Sequence, residues 1–215
     1  TEGVEFRLEK HIPVAAGMAG GSTDAAAVLV GVNRMFDLGF TKKELMERGV
    51  KLGADVPYCI MRGTALSEGI GEILTELPAP PQCHLVIAKP QISVSTKAVY
   101  GKLRVNELAP EEHPDIDGMM AAIKNGDLDG AIERLGNVLE TVTVPDHPEI
   151  SEIKEIMVEN GACGSLMSGS GPTVFGIYKD RELAEKACQA LREADGGRLT
   201  RQVYLTEFYN RKKAR

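Results

Sequence analysis

The sequence has little of what would point to a metal, a membrane or a nucleic acid. It contains only four cysteines, Cys59, Cys83, Cys163 and Cys188, and no two stand in a C-x-x-C spacing. None pairs with a histidine in a zinc-like pattern, and the four histidines, His11, His84, His113 and His147, are scattered. A structural zinc site is therefore not expected. The same cysteine usage predicts reduced, mostly buried thiols in a cytoplasmic protein. No run approaches the roughly 18 consecutive apolar residues of a membrane span, and no signal-peptide pattern precedes the first expected strand. A broad basic face is also missing. The formal net charge is −6, which argues against nucleic acid as the main partner. The short basic run over 211–215 reads as a solvated end. Neither G-x-x-x-x-G-K-[ST] nor a clean G-x-G-x-x-G is present, and there is no internal repeat or low-complexity segment.

What remains is ordinary globular composition. The chain has 215 residues, 43% of them hydrophobic and 26% charged, enough for one large domain or two small ones. "GVEFRLEK", 3–10, alternates apolar and polar and predicts a half-buried strand. "STDAAAVLVGVNRMFDL", 22–38, predicts a helix with Ser22, Thr23 or Asp24 as N-cap. A second helix is expected over 41–57, with Thr41 and Glu44 at capping-box spacing and Gly53 as its stop. Residues 64–77 read as a hairpin, and the proline-rich "PAPPQ", 78–82, reads as a linker. The expected domains are therefore 1–80 and 81–215. In the second, strands at 84–89, 163–167, 173–178 and 201–207 alternate with helices at 95–104, 116–124, 128–140, 148–160 and 181–194. That β–α–β–β–α–β order predicts a ferredoxin-like α/β sandwich with extra helices in its first crossover.

Two stretches are rich in small residues. "HIPVAAGMAGGSTDAAAVL", 11–29, holds three glycines and six alanines beside the hydroxyls of Ser22 and Thr23. Glycine permits positive φ and removes Cβ, so successive N–H groups can converge on an anion. The helix that follows adds unpaired N–H groups and a positive dipole end. This is a sound phosphate cradle, and equally a tight turn into an alanine-rich helix packed on a sheet. Ser22 and Thr23 could serve a phosphate or Mg²⁺. The second stretch, "LMSGSGPTVFGIY", 166–178, sets Gly169, Ser170 and Gly171 between two apolar strands. Two such loops in two domains suggest a shared cleft. Between them in sequence, "LGADVP" offers Asp55 either as a cap of the next turn or as a general base for a substrate hydroxyl.

Taken in order, these elements resemble the GHMP kinases, a superfamily of small-molecule kinases. "PVAAGMAGGSTDAAAVL" resembles its second motif and "SLMSGSGPTVF" its third. "LGADVP" with "A-x-x-E-G-x-G-E" downstream narrows the resemblance to the branch acting on diphosphocytidyl-methylerythritol in non-mevalonate isoprenoid synthesis. The resemblance runs from about residue 4 to residue 206. It implies an α+β, two-domain fold, with a ribosomal protein S5 domain 2-like first domain and a ferredoxin-like second one. It implies ATP with Mg²⁺ as cofactors and a small-molecule acceptor, with no nucleic acid and no membrane. Pro13, Gly17, Ala19, Gly20, Gly21, Ser22 and Thr23 would hold the triphosphate, Ser22 also the metal. Asp55 would be the catalytic base. Gly169, Ser170 and Gly171 would close the cleft and position the substrate. Tyr100 would stand against the cytosine, although an aromatic in "STKAVYGKL" can equally be core.

The sequence departs from the family in places. Met18, Ala19 and Thr23 stand where leucine, glycine and serine are common. The family's first motif, P-x-K-[IVL]-N-L, is not in this sequence. Its absence sets the expectations of an incomplete first domain, an open sheet edge suited to homodimerisation, and turnover weakened by loss of the motif's lysine. Other readings stay open: a homoserine or mevalonate type of kinase, or a non-catalytic fragment that binds nucleotide or self-associates. A translation-factor-like domain would need a basic face.

Overall fold

The structure, a computed structural model, describes residues 3–209; the basic run 211–215 lies outside them. The alternating segment 3–10 forms no strand. It is irregular chain, with Phe6 56% and Leu8 63% exposed. Alternation alone does not make a strand: the ladder needs a neighbour, and no strand among the described residues pairs with this one.

The first regular element is helix α1, Gly20–Met35. Its N-cap is Ala19, at φ 48° and ψ 28°, with no side-chain cap, rather than Ser22, Thr23 or Asp24. The glycine-rich backbone curls far enough to start the helix earlier than the hydroxyl residues suggest. Helix α2, Lys42–Gly49, carries the expected capping box: Thr41 Oγ1 accepts from Glu44 N–H at 3.2 Å, and Glu44 Oε2 accepts from Thr41 N–H at 2.8 Å. It stops at Gly49, not Gly53, and Gly49 packs so closely on Val56 and Ile60 of the next element that a Cβ there would press on them. That element is a separate short helix, α3, Val56–Met61, with Asp55 as N-cap. Ala26, Leu45, Val56 and Ile60 form the small core of these three helices. Strands β1, Thr64–Glu68, and β2, Ile73–Leu77, form the expected antiparallel hairpin. The chain over 78–83 is irregular.

Strand β3, His84–Pro90, leads into the second sheet. Helices α4, Thr96–Lys102, α5, Ile116–Asn125, α6, Leu128–Glu133, α7, Glu140–Asp146, and α8, Glu149–Glu159, follow. Then come strands β4, Gly164–Met167, and β5, Val174–Tyr178, helix α9, Arg181–Glu193, and strand β6, Thr200–Glu207. The sheet order is β4-β5-β3-β6, and every neighbouring pair is antiparallel. This is the ferredoxin-like arrangement the strand order predicts. Period-two alternation divides β3 between two faces. Val86 and Ala88 join Ile150, Ile153 and Met157 of α8 and Leu191 of α9 in the main core. Leu85, with Ile177 of β5, faces Leu128 and Ile132 of α6.

Two expectations in this half need correction. The single helix over 128–140 is two, α6 and α7, broken at 134–139. Gly136 packs against the Pro114 ring, and the Asn137 side chain is engaged with another segment. The thiols are all free, but only Cys83 and Cys188 are buried; Cys59 is half-buried and Cys163 exposed. Burial pushes the Cys83 thiol up to about 11.

The two halves meet at their glycine loops. Ser168 Oγ donates to Gly17 O at 2.9 Å. Gly17 has φ +70°, and a Cβ there would overlap the Ser168 carbonyl oxygen. Gly17→Ala should therefore destabilise the protein by about 2–4 kcal/mol, from left-handed strain plus overpacking. An unchanged melting temperature would show that the loops are not in contact. Thr41→Ala should remove about 1 kcal/mol, the usual value of an N-cap, seen as a lower denaturant midpoint.

Candidate active site

The phosphate-loop backbone is left-handed at Ala15 (φ 51°), Gly17 (φ 70°) and Ala19 (φ 48°). Such alternation turns successive N–H groups toward one side and makes an anion-binding concavity. The first intrahelical bond of α1 runs from Thr23 N–H to Ala19 O at 2.9 Å. The N–H groups of Gly20, Gly21 and Ser22 therefore have no acceptor in the helix. They stand at the positive end of a 16-residue dipole.

This loop forms one wall of a cleft of about 560 Å³. Pro13, Gly17, Ala19, Gly20 and Gly21 line it, and Gly169, Ser170, Tyr100 and Asp55 close it from other elements. Tyr100 is 60% exposed on α4, so it is a cleft aromatic and not a core one. Three expected residues do not line this cleft. Ser22 is half-buried, its hydroxyl oxygen 3.9 Å from the place of a Cβ on Gly53, beside the Gly-Ala-Asp turn. Thr23 Oγ1 donates to Ala19 O at 3.0 Å and lies 3.5 Å from Cys59 Sγ. Gly171 (φ +83°) is packed instead against Met167 and Thr143.

Asp55 begins α3, yet its carboxylate caps nothing. Val56 N–H is bonded to Gly53 O at 3.1 Å, and the Pro57 ring occupies the first turn. The side chain is exposed and forms no ion pair among the described residues. The capping role is thereby excluded, and the carboxylate stays free for chemistry. Asp55 and Tyr58 also line a second, larger groove of about 860 Å³. The hairpin residues Thr64 and Ala65 form one side of it, and Met119, Ile132 and Phe175 the other. Asp55 thus stands in the wall between the glycine-loop cleft and a more apolar groove.

Three further residues belong to the site. Lys10 lines the phosphate cleft and pairs with Asp24 of α1; its ammonium lies 3.8 Å from the place of a Cβ on Gly20. It is the one cationic side chain among the described residues that line this cleft. Its only mark in the sequence is a charge at the end of an apparent strand. Asn137 Nδ2 donates to Met167 O at 2.9 Å and Gly169 O at 2.8 Å, while its Oδ1 accepts from Leu139 N–H at 3.0 Å. Glu140 Oε1 accepts from Met167 N–H at 2.7 Å, and its Oε2 from Lys154 Nζ at 2.6 Å. These two side chains hold the second glycine loop in place. Ser170 sits deeper in that loop, its hydroxyl 2.8 Å from that of Thr96. No sequence signal marks Asn137 or Glu140, because their partners are backbone groups about 30 residues away.

Comparisons with known proteins bear on the family. The family model described as the GHMP kinases N terminal domain matches residues 2–63, and that of the GHMP kinases C terminal matches 119–196. The chain is 56% identical over 207 residues to a protein of Lachnospira eligens named 4-diphosphocytidyl-2-C-methyl-D-erythritol kinase, covering 96% of this chain and 70% of that protein. It is 51% identical over 212 residues to a protein of the same name from Lachnoclostridium phytofermentans, covering 99% and 71%. Among solved structures it superposes on a 4-(cytidine 5'-diphospho)-2C-methyl-D-erythritol kinase with a TM-score of 0.76 at 31% identity, over 93% of this chain and 68% of that one. A homoserine kinase from Cytophaga hutchinsonii shares the fold, with a TM-score of 0.78 at 21% identity over 92% and 67%. With the phosphate loop, the free aspartate and the second glycine loop around one cleft, the chain belongs to the GHMP kinases, a family of ATP-dependent small-molecule kinases.

Proposed function

We propose that this chain transfers the γ-phosphoryl group of ATP to the 2-hydroxyl of 4-diphosphocytidyl-2-C-methyl-D-erythritol, a step of non-mevalonate isoprenoid synthesis. The observation that carries the mechanism is the position of Asp55, which lines one cleft together with Gly20 and Gly21 of the first glycine loop and with Tyr100, Gly169 and Ser170. The glycine-loop side suits the triphosphate and the Tyr100 side suits the acceptor, so the two reactants meet at Asp55. The relatives' names supply the acceptor, and the Gly-Ala-Asp-Val-Pro turn favours it over a homoserine or mevalonate type.

Phosphoryl transfer demands alignment and charge stabilisation more than covalent help. The N–H groups of Gly20, Gly21 and Ser22 orient the phosphate oxygens. Lys10 exchanges its Asp24 partner for the β- or γ-phosphate, placing positive charge where negative charge accumulates. Asp55 accepts the hydrogen bond of the acceptor hydroxyl, orients its lone pair and takes its proton as the new P–O bond forms. The second glycine loop, braced by Asn137 and Glu140, keeps water from the γ-phosphate. No group of three acidic, histidine or cysteine side chains gathers among the described residues, so Mg²⁺ here would be held mostly by phosphate oxygens, as it commonly is in kinases. Ser22, whose hydroxyl faces Gly53 behind the cleft, would hold it only after turning its side chain toward the phosphates. When bound, the ion neutralises charge on the β- and γ-oxygens. No helix among the described residues is long and apolar enough to cross a membrane. The four free thiols favour a cytoplasmic setting.

Asp55→Asn should lower kcat by about 10²–10⁴-fold, the usual range for a general base, with KM for ATP little changed. A wild-type kcat would place the base elsewhere. Lys10→Ala should raise KM for ATP about 10–100-fold, the effect of one charged hydrogen bond, measured by steady-state kinetics with ATP varied. An unchanged KM would remove Lys10 from the phosphate site.

A further inference from the structure

Ser170 belongs to the second glycine loop and is only 5% exposed. Its carbonyl accepts from Thr143 Oγ1 at 3.3 Å, and Thr143 is itself buried. The Ser170 hydroxyl has one partner among the described residues, Thr96 Oγ1 at 2.8 Å. A hydroxyl carries one proton and two lone pairs. Two paired hydroxyls therefore use one proton between them and leave the other for a third group. Were Thr96 the donor, the Ser170 proton would be buried without an acceptor, which is costly. Ser170 therefore donates, and the Thr96 proton is the spare one.

Thr96 is placed to use it. It is exposed and lines the cleft with Asp55, Tyr100 and the first glycine loop. It opens α4, but the cap of that helix is Ser95, whose Oγ accepts from Ala98 N–H at 3.4 Å. Capping therefore makes no demand on the Thr96 side chain. Tyr100 is four residues on, one turn away on the same face of α4. Val99, buried in the main core, fixes the rotation of the helix about its axis.

We infer that Thr96 is a specificity-determining residue whose hydroxyl donates a hydrogen bond to an oxygen of the acceptor, and that Ser170 is the positioning residue that aims it. This inference rests on the acceptor reading of the Tyr100 side of the cleft. A hydroxyl that already accepts a hydrogen bond is a stronger donor, and one already held in place loses less freedom on binding. The buried serine of the glycine loop thus acts on the acceptor through its neighbour.

The test compares wild type, Thr96→Val, Thr96→Ser and Ser170→Ala by calorimetry, with the diphosphocytidyl acceptor and separately with ATP. Thr96→Val keeps the side-chain shape and removes the hydroxyl. It should raise Kd for the acceptor about tenfold, the value of one hydrogen bond, and leave Kd for ATP unchanged. In initial rates the loss should fall in KM for the acceptor and not in kcat. Thr96→Ser should restore the affinity. Ser170→Ala leaves the Thr96 hydroxyl in the cleft but no longer aimed, and should cost less than Thr96→Val. Both of these variants break the same hydrogen bond and should lower the melting temperature alike, so a larger loss of affinity in Thr96→Val is not a folding effect. If wild type binds the acceptor and Thr96→Val binds it within about twofold, or loses no more than Ser170→Ala, or loses ATP affinity equally, the inference is overturned and the acceptor reading stands. If wild type does not bind the acceptor, both are overturned.

Discussion

The site depends on the close approach of two glycine loops, sealed where Ser168 donates to the Gly17 carbonyl. Each loop alone is a turn. Together they shape one cleft. Gly17 permits the contact because a side chain there would occupy the space of the Ser168 carbonyl. The second loop is held from behind by Asn137, which bonds the carbonyls on both sides of Ser168. The packing of the second half of the chain thereby braces the first glycine loop as well.

Strain gathers in the same region. Ala15 and Ala19 adopt left-handed backbone without the freedom of glycine, and Arg62 occupies a region that disfavours any side chain. Each such residue costs roughly 1–3 kcal/mol and persists only where its surroundings enforce it. The first two belong to the loop that lines the cleft, and the third ends α3. The carboxylate of Asp55 belongs with them: at a helix N-cap it would normally accept a backbone N–H, and here it does not. A polar group left free at such a position is available to a substrate.

Much of this was legible from residue patterns. The Thr41–Glu44 capping box, the hairpin over 64–77 and the strand order of the second domain all follow from short-range rules, and the structure contains them. Both glycine loops and Asp55 were legible because small residues and an isolated acid stand out against their neighbours. The misses have a common cause. The alternation over 3–10 described a strand in search of a partner, the helix over 128–140 was broken by the tertiary engagement of Asn137, and Lys10 had no local pattern to mark it.

The sequence by itself determined the class of chemistry, because a phosphate loop requires small residues at particular places and a ferredoxin-like sheet requires its alternation. Only the tertiary structure decided which side chains serve the site. Ser22 and Thr23 lie one turn from Ala19 and look equivalent in the sequence, yet their hydroxyls face Gly53 and Cys59. Lys10 and Asn137 look like ordinary polar residues, yet Lys10 lines the cleft and Asn137 holds the second glycine loop because folding brings distant parts of the chain together. Side-chain direction is set by packing, and packing is a property of the folded chain.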